Sequence, residues 1–201
     1  MTRRLVLATR NAHKVTELRA ILTGTGLDVD LVGADAYPEV PDVKETGVTF
    51  AENALLKARA LADATGLPAV ADDSGLCVDV LGGAPGIFSA RWAGRHGDDA
   101  ANLALLLAQL GDIEAPNRGA HFACAAAFAL PGGPERVAEG RLRGTLRHSP
   151  VGTNGFGYDP ILQPEGDTRT CAELTPAEKN AISHRGKAFR ALAEQLPELL
   201  G

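Results

Sequence analysis

The chain has 201 residues, 45% of them hydrophobic, and a net charge of −5 at pH 7. That supports one sizeable domain over residues 1–201 and argues against any general attraction to nucleic acid or acidic membranes. With aromatics at only 4%, the core is expected to be aliphatic, helices packing on a sheet. Cys77, Cys124 and Cys171 lack a Cys-x-x-Cys spacing, so they read as reduced thiols of a cytoplasmic protein rather than zinc or redox ligands. The longest apolar run, 122–130, is too short to cross a bilayer, and the four apolar residues 5–8 are too few for a signal-peptide core.

In chain order, residues 5–8 read as a buried strand. A helix from Asn11 follows, with Val15, Leu18, Ile21 and Leu22 on one face. The turn between them, Thr9, Arg10, Asn11, Ala12, His13 and Lys14, points free N–H groups and a helix dipole at an anion, although it lacks P-loop spacing and a plain capped helix accounts for it as well. Residues 28–32 suggest a second strand and 33–47 an exposed loop. Thr49 and Glu52 form a capping box for a helix to about Ala64, with Phe50, Ala54, Leu55 and Leu61 inward and Asn53 and Lys57 on the other side.

A short strand through Leu67, Ala69 and Val70 then ends in Asp72-Asp73-Ser74. Two adjacent ionised acids need a cation or donors, and carboxylate oxygens suit magnesium, which in turn suits a phosphate-bearing substrate. An Asp-rich turn is the plainer alternative. Residues 76–80 read as a further strand, and 82–86 as a tight connector. Asp98 or Asp99 caps a helix through Leu103, Leu106, Leu107 and Leu110. Residues 121–130 and 136–147 form a hairpin about Pro131-Gly132-Gly133-Pro134. The face carrying Arg141, Arg143 and Arg147 reads as solvated rather than as a phosphate patch.

In 152–160 three glycines surround Phe156 and Tyr158. An aromatic there can stack on a nucleobase or plug a local apolar patch. Thr175 and Glu178 make a second capping box with Pro176 at the first helical position, which puts Lys179 in the first turn. Ser183 starts the last helix and Pro197 ends it. His184 and Arg185 offer planar donors for a base edge, or are simply solvated.

Taken together, residues 8–14, Glu45-Thr46-Gly47 through Glu52-Asn53-Ala54, 71–75, 82–90, 156–160 and 179–185 resemble the inosine triphosphate pyrophosphatase family, over about 6–192. The resemblance implies an α/β fold with an elongated mixed central sheet, flanking helices and a cleft between two lobes. It also implies magnesium-dependent hydrolysis of ITP, dITP and XTP to the monophosphate and pyrophosphate by a homodimer. By position, Thr9 to Lys14 and Lys57 would hold the phosphates, and Ser74 would touch substrate. Asp73 would be the proton acceptor and a metal ligand, with Asp72 and Glu45 as further metal candidates. Phe156, Gly157, Tyr158, Asp159, Lys179, His184 and Arg185 would bind the base and sugar end. Lys44 and His13 depart from the family pattern, where an acid and a glycine are common. The alternatives are a non-catalytic nucleotide sensor and a related pyrophosphatase with another base preference.

Overall fold

The computed structural model describes residues 3–10, 12–24 and 29–200, with backbone only at 3 and 12–14. Among the described residues six strands form one sheet in the order β2-β1-β3-β4-β5-β6. They are β1 (Arg3–Leu7), β2 (Val29–Gly33), β3 (Ala69–Val78), β4 (Gly119–Ala129), β5 (Glu135–Leu146) and β6 (Leu162–Pro164). The sheet is mixed: β1 runs parallel to β2 and β3, with Leu5 opposite Leu31 and Val6 opposite Ala69, whereas β5 and β6 are antiparallel. The helices are α1 (Ala12–Gly24), α2 (Phe50–Thr65), α3 (Asp99–Gln109), α4 (Pro176–Ile182), α5 (His184–Ala193) and α6 (Leu196–Leu200). The mixed α/β expectation therefore holds.

Two compact units are present, one of residues 1–73, 124–140 and 184–201, the other of 74–123 and 141–183. In the first, strand alternation sends Leu5, Leu7, Val70, Cys124, Ala126 and Phe128 to one apolar cluster with Leu18, Ile21 and Leu22 of α1 and Ala188, Phe189 and Leu192 of α5. The alternate residues Val6, Ala69, Ala71, Ala125, Ala127 and Ala129 meet Ala54, Ala58, Leu61 and Ala62 of α2. Strands buried on both faces read as continuous apolar runs, which is why 122–129 shows no alternation in sequence. Gly140 admits α5 closely: a Cβ there would lie 2.1 Å from the His184 carbonyl oxygen and 2.6 Å from Ala188 N.

The second unit buries Leu76, Val78, Leu106, Leu110, Phe122, Leu142, Leu146, Tyr158, Ile161 and Leu162 together. On β5 the burial alternates, leaving Arg141 and Arg143 exposed as the strand pattern predicts. Arg118, 1% exposed, is held without a carboxylate contact among the described residues. Its Nε donates to the Leu146 carbonyl (2.9 Å), its Nη1 to Leu110 (2.6 Å) and Ile113 (3.2 Å), and its Nη2 to Arg147 (3.1 Å).

Both capping boxes form as read, at Thr49/Glu52 and Thr175/Glu178. Asp98 caps α3 by accepting from Ala101 N. Three readings change. The acids do not sit in a turn between two strands: β3 runs unbroken through Asp72, Asp73 and Ser74, and 79–81 is a 3₁₀ turn. Asn53 is fully buried rather than outward-facing, because both ends of its amide find partners. Pro197 lies inside the first turn of α6, where its missing N–H costs nothing.

Candidate functional site

β3 carries Asp72 and Asp73 into the first unit, 2% and 7% exposed. A strand tolerates two such acids only when each is met by donors. Arg185, at the start of α5, donates from Nε to Asp72 Oδ2 (3.2 Å) and from Nη1 to Glu17 Oε2 on α1 (2.5 Å). Burial works to lower the Arg185 pKa, but Asp72 and Glu17 outweigh it and hold the guanidinium firmly charged. On α2, one turn apart, Asn53 and Lys57 reach Asp73. Asn53 Nδ2 donates to Oδ2 (3.2 Å) and Lys57 Nζ to Oδ1 (3.4 Å). The Lys57 ammonium also meets Glu45 Oε1 at 2.8 Å. Burial pulls its pKa down, yet Asp73, Asp72 and Glu45 raise it on balance, so Lys57 stays an ammonium.

The 9–14 turn is placed in part. β1 ends at Leu7, and Ala8 N donates to the Val70 carbonyl, setting the start of the turn beside β3. Arg10 is directed onto the 40–42 loop, with Nη1 3.0 Å from Asp42 Oδ1 and Nη2 donating to the Val40 carbonyl. Asn11 and the side chains of Ala12, His13 and Lys14 lie outside the described residues.

In the second unit, Ser74 is half-buried on β3. The glycine-rich loop gathers a separate group. Lys179, buried in the first turn of α4, lies 2.7 Å from Asp159 Oδ2 and 5.2 Å from the centre of the Phe156 ring. Asp159 Oδ2 also accepts from Phe156 N (2.9 Å), and Gly157 N donates to Asp99 Oδ2 (3.0 Å). Tyr158 turns into the core, its hydroxyl donating to the Ser89 carbonyl (2.9 Å). Burial, with Asp99 adding to it, raises the phenol pKa far above its usual value. Phe156 is thus the half-buried aromatic of the loop, and Tyr158 is structural.

The first unit therefore brings Glu45, Lys57, Asp72, Asp73 and Arg185 into contact, and the second brings Phe156, Asp159 and Lys179 together. His184 precedes Arg185 and is 5% exposed. Asn53, read from the sequence as outward-facing, and Glu17 join the acidic cluster although the sequence gives neither a site role. The i, i+4 relation of Asn53 to Lys57 was the available signal for the first; Glu17 gave none.

As for a metal, no group of three or more His, Cys, Asp or Glu side chains converges among the described residues. Magnesium rarely uses such a cage, taking one or two carboxylates with water and substrate phosphate. Glu45 and Asp73, hard oxygen donors sharing one cation, fit that demand.

The Ham1 family model matches residues 5–195. A dITP/XTP pyrophosphatase of Streptomyces avermitilis is 81% identical over 198 residues, covering 98% of this chain and 99% of the relative. Among solved structures, a HAM1 protein from Coxiella burnetii superposes with a TM-score of 0.88 at 42% identity, covering 98% of this chain and 100% of the other. A nucleoside-triphosphatase / dITP/XTP pyrophosphatase from Mycobacterium abscessus gives 0.77 at 55% identity, covering 96% and 99%. With the match spanning β1 through α5 and both groups of candidate residues, this chain belongs to the Ham1 family.

Proposed function

We propose that this chain hydrolyses non-standard purine nucleoside triphosphates, dITP, ITP and XTP, to the monophosphate and pyrophosphate, cleansing the nucleotide pool. The observation that carries the reading is the buried Asp73 carboxylate sharing Lys57 with Glu45, in a chain 81% identical to a dITP/XTP pyrophosphatase. Water attacks the α-phosphorus, Asp73 takes its proton, and the bond to the β-phosphate oxygen breaks with pyrophosphate leaving. Lys57 and the 9–14 turn balance phosphate charge. Magnesium, held by Asp73 and Glu45 with Asp72 near, would supply further positive charge to the phosphates.

Phe156, Gly157, Asp159, Lys179, His184 and Arg185 are assigned to the base and sugar end, and Ser74 to a contact with substrate. Arg185 has a second task, since two of its N–H groups hold Asp72 and Glu17. A donor to the 6-oxo group selects against adenine, whose amino group would leave that donor unpaired, and guanine must be rejected at its 2-position. We assign the work to a cytoplasmic homodimer of one catalytic domain. No helix among the described residues is long and apolar enough to cross a membrane.

The test is pyrophosphate release from a triphosphate panel with magnesium. Rapid release from ITP, dITP and XTP with slow release from ATP and GTP is expected. No release from any would leave only a binding role, and best rates on ordinary nucleotides would overturn the base preference.

A further inference from the structure

We propose that Asn53 is the positioning residue of this hydrolytic site, fixing both the Asp73 carboxylate and the loop that carries Glu45; the role rests on the pyrophosphatase reading. Asn53 is fully buried on the first turn of α2. Its Nδ2 donates to Asp73 Oδ2 (3.2 Å), and its Oδ1 accepts from Gly47 N (2.8 Å). An ionised carboxylate only accepts and a backbone N–H only donates, so the bridge needs one donor and one acceptor on a single short side chain, which the asparagine amide supplies. The same logic fixes which way the amide faces.

The loop side is equally tight. A Cβ on Gly47 would meet Asn53 Oδ1 at 2.8 Å and Glu52 Cβ at 2.6 Å, so glycine is what lets the loop backbone reach the amide. One turn further along α2, Lys57 repeats the connection in charged form, bridging Asp73 Oδ1 and Glu45 Oε1. The loop and the strand are thus tied twice by one helix, once by a neutral amide and once by an ammonium. A triphosphate competes with these carboxylates for the ammonium, and a divalent cation competes with the ammonium for its carboxylates. Neither has such a quarrel with the amide, so the Asn53 tie keeps Asp73 oriented while the Lys57 tie is exchanged.

The test compares full-length wild type with Asn53→Leu, which keeps the shape without polar atoms, and Asn53→Asp, which keeps the acceptor for Gly47 N–H but sets a like charge against Asp73. Both variants are expected to lower kcat for ITP about 10–100-fold while KM moves little, as loss of an outer-shell partner does. Manganese titrated into nucleotide-free protein and followed by electron paramagnetic resonance should bind Asn53→Leu about tenfold more weakly. Should Asn53→Leu fold poorly, Gly47→Ala cuts the same tie from the loop side and should also lower kcat. Unchanged kcat and manganese affinity would overturn the proposal, as would a lower melting temperature with undiminished turnover per folded molecule. If wild type itself releases no pyrophosphate from ITP, the pyrophosphatase reading fails, and the manganese comparison alone decides the role of Asn53.

Discussion

The two groups of buried charge in this molecule are wired differently. In the first unit each cation is shared: Lys57 touches both Glu45 and Asp73, and Arg185 touches both Asp72 and Glu17. In the second, Lys179 meets the single carboxylate of Asp159 and lies against the Phe156 ring. A shared cation lies between two acids that a doubly charged ion would satisfy at once, whereas a one-to-one pair is complete as it stands. The difference teaches where exchange is built in. Under the proposed function, the shared arrangement would serve where ions and phosphates come and go, and the closed pair would serve as a fixed wall for the base.

The sharpest way to break that contrast is Asp73→Asn, which keeps the shape and removes the proposed proton acceptor. It should lower kcat by about 10²–10⁴-fold, and near-wild-type turnover would remove Asp73 from the chemistry. Next, Arg185→Met leaves Asp72 and Glu17 buried without their cation. A loss of about 3–5 kcal/mol is expected from urea unfolding. In the second unit, Lys179→Met, Asp159→Asn and the double variant form a cycle whose coupling should be about 0.5–3 kcal/mol, with the double variant less destabilised than the sum. Strict additivity would show that the closed pair is not a unit.

The smallest effect concerns His121 on β4. Burial, Arg141 and Arg143 lower its pKa below 6.5, only partly opposed by Asp79, and its Nδ1 is buried without a hydrogen-bond partner among the described residues. The folded state therefore favours the neutral imidazole. That contribution is fully present above the unfolded value near 6.5 and is lost as pH falls towards the folded value. Urea midpoints measured between about pH 7 and pH 5 should decline with a slope that His121→Gln reduces.

What the sequence made legible was local. Capping boxes at Thr49 and Thr175 close within four residues, and the 131–134 turn declares its own hairpin, so these elements could be read directly. The course of β3 could not. Asp72 is acceptable inside a strand because Arg185 arrives from 113 positions away, and Arg185 is acceptable because Glu17 arrives from 168 away. Without those partners in view, a turn was the cheaper home for two acids. Asn53 reads as outward for a related reason: helical periodicity marks polar residues as exposed, and only the approach of Gly47 and Asp73 turns that face inward. The family resemblance named most of the cluster all the same, since its motifs record the result of such meetings without showing their geometry.

Arg118 carries a lesson about substitution. Its guanidinium gathers four backbone oxygens at the end of α3 and the end of β5. What is used there is a flat fan of donors, and the charge is incidental. Lysine would bring the same positive charge with three donors on a single point and leave carbonyls stranded in the interior. The position is accordingly closed to the exchange that surface chemistry treats as mild, and an Arg118→Lys protein should behave as a core mutant.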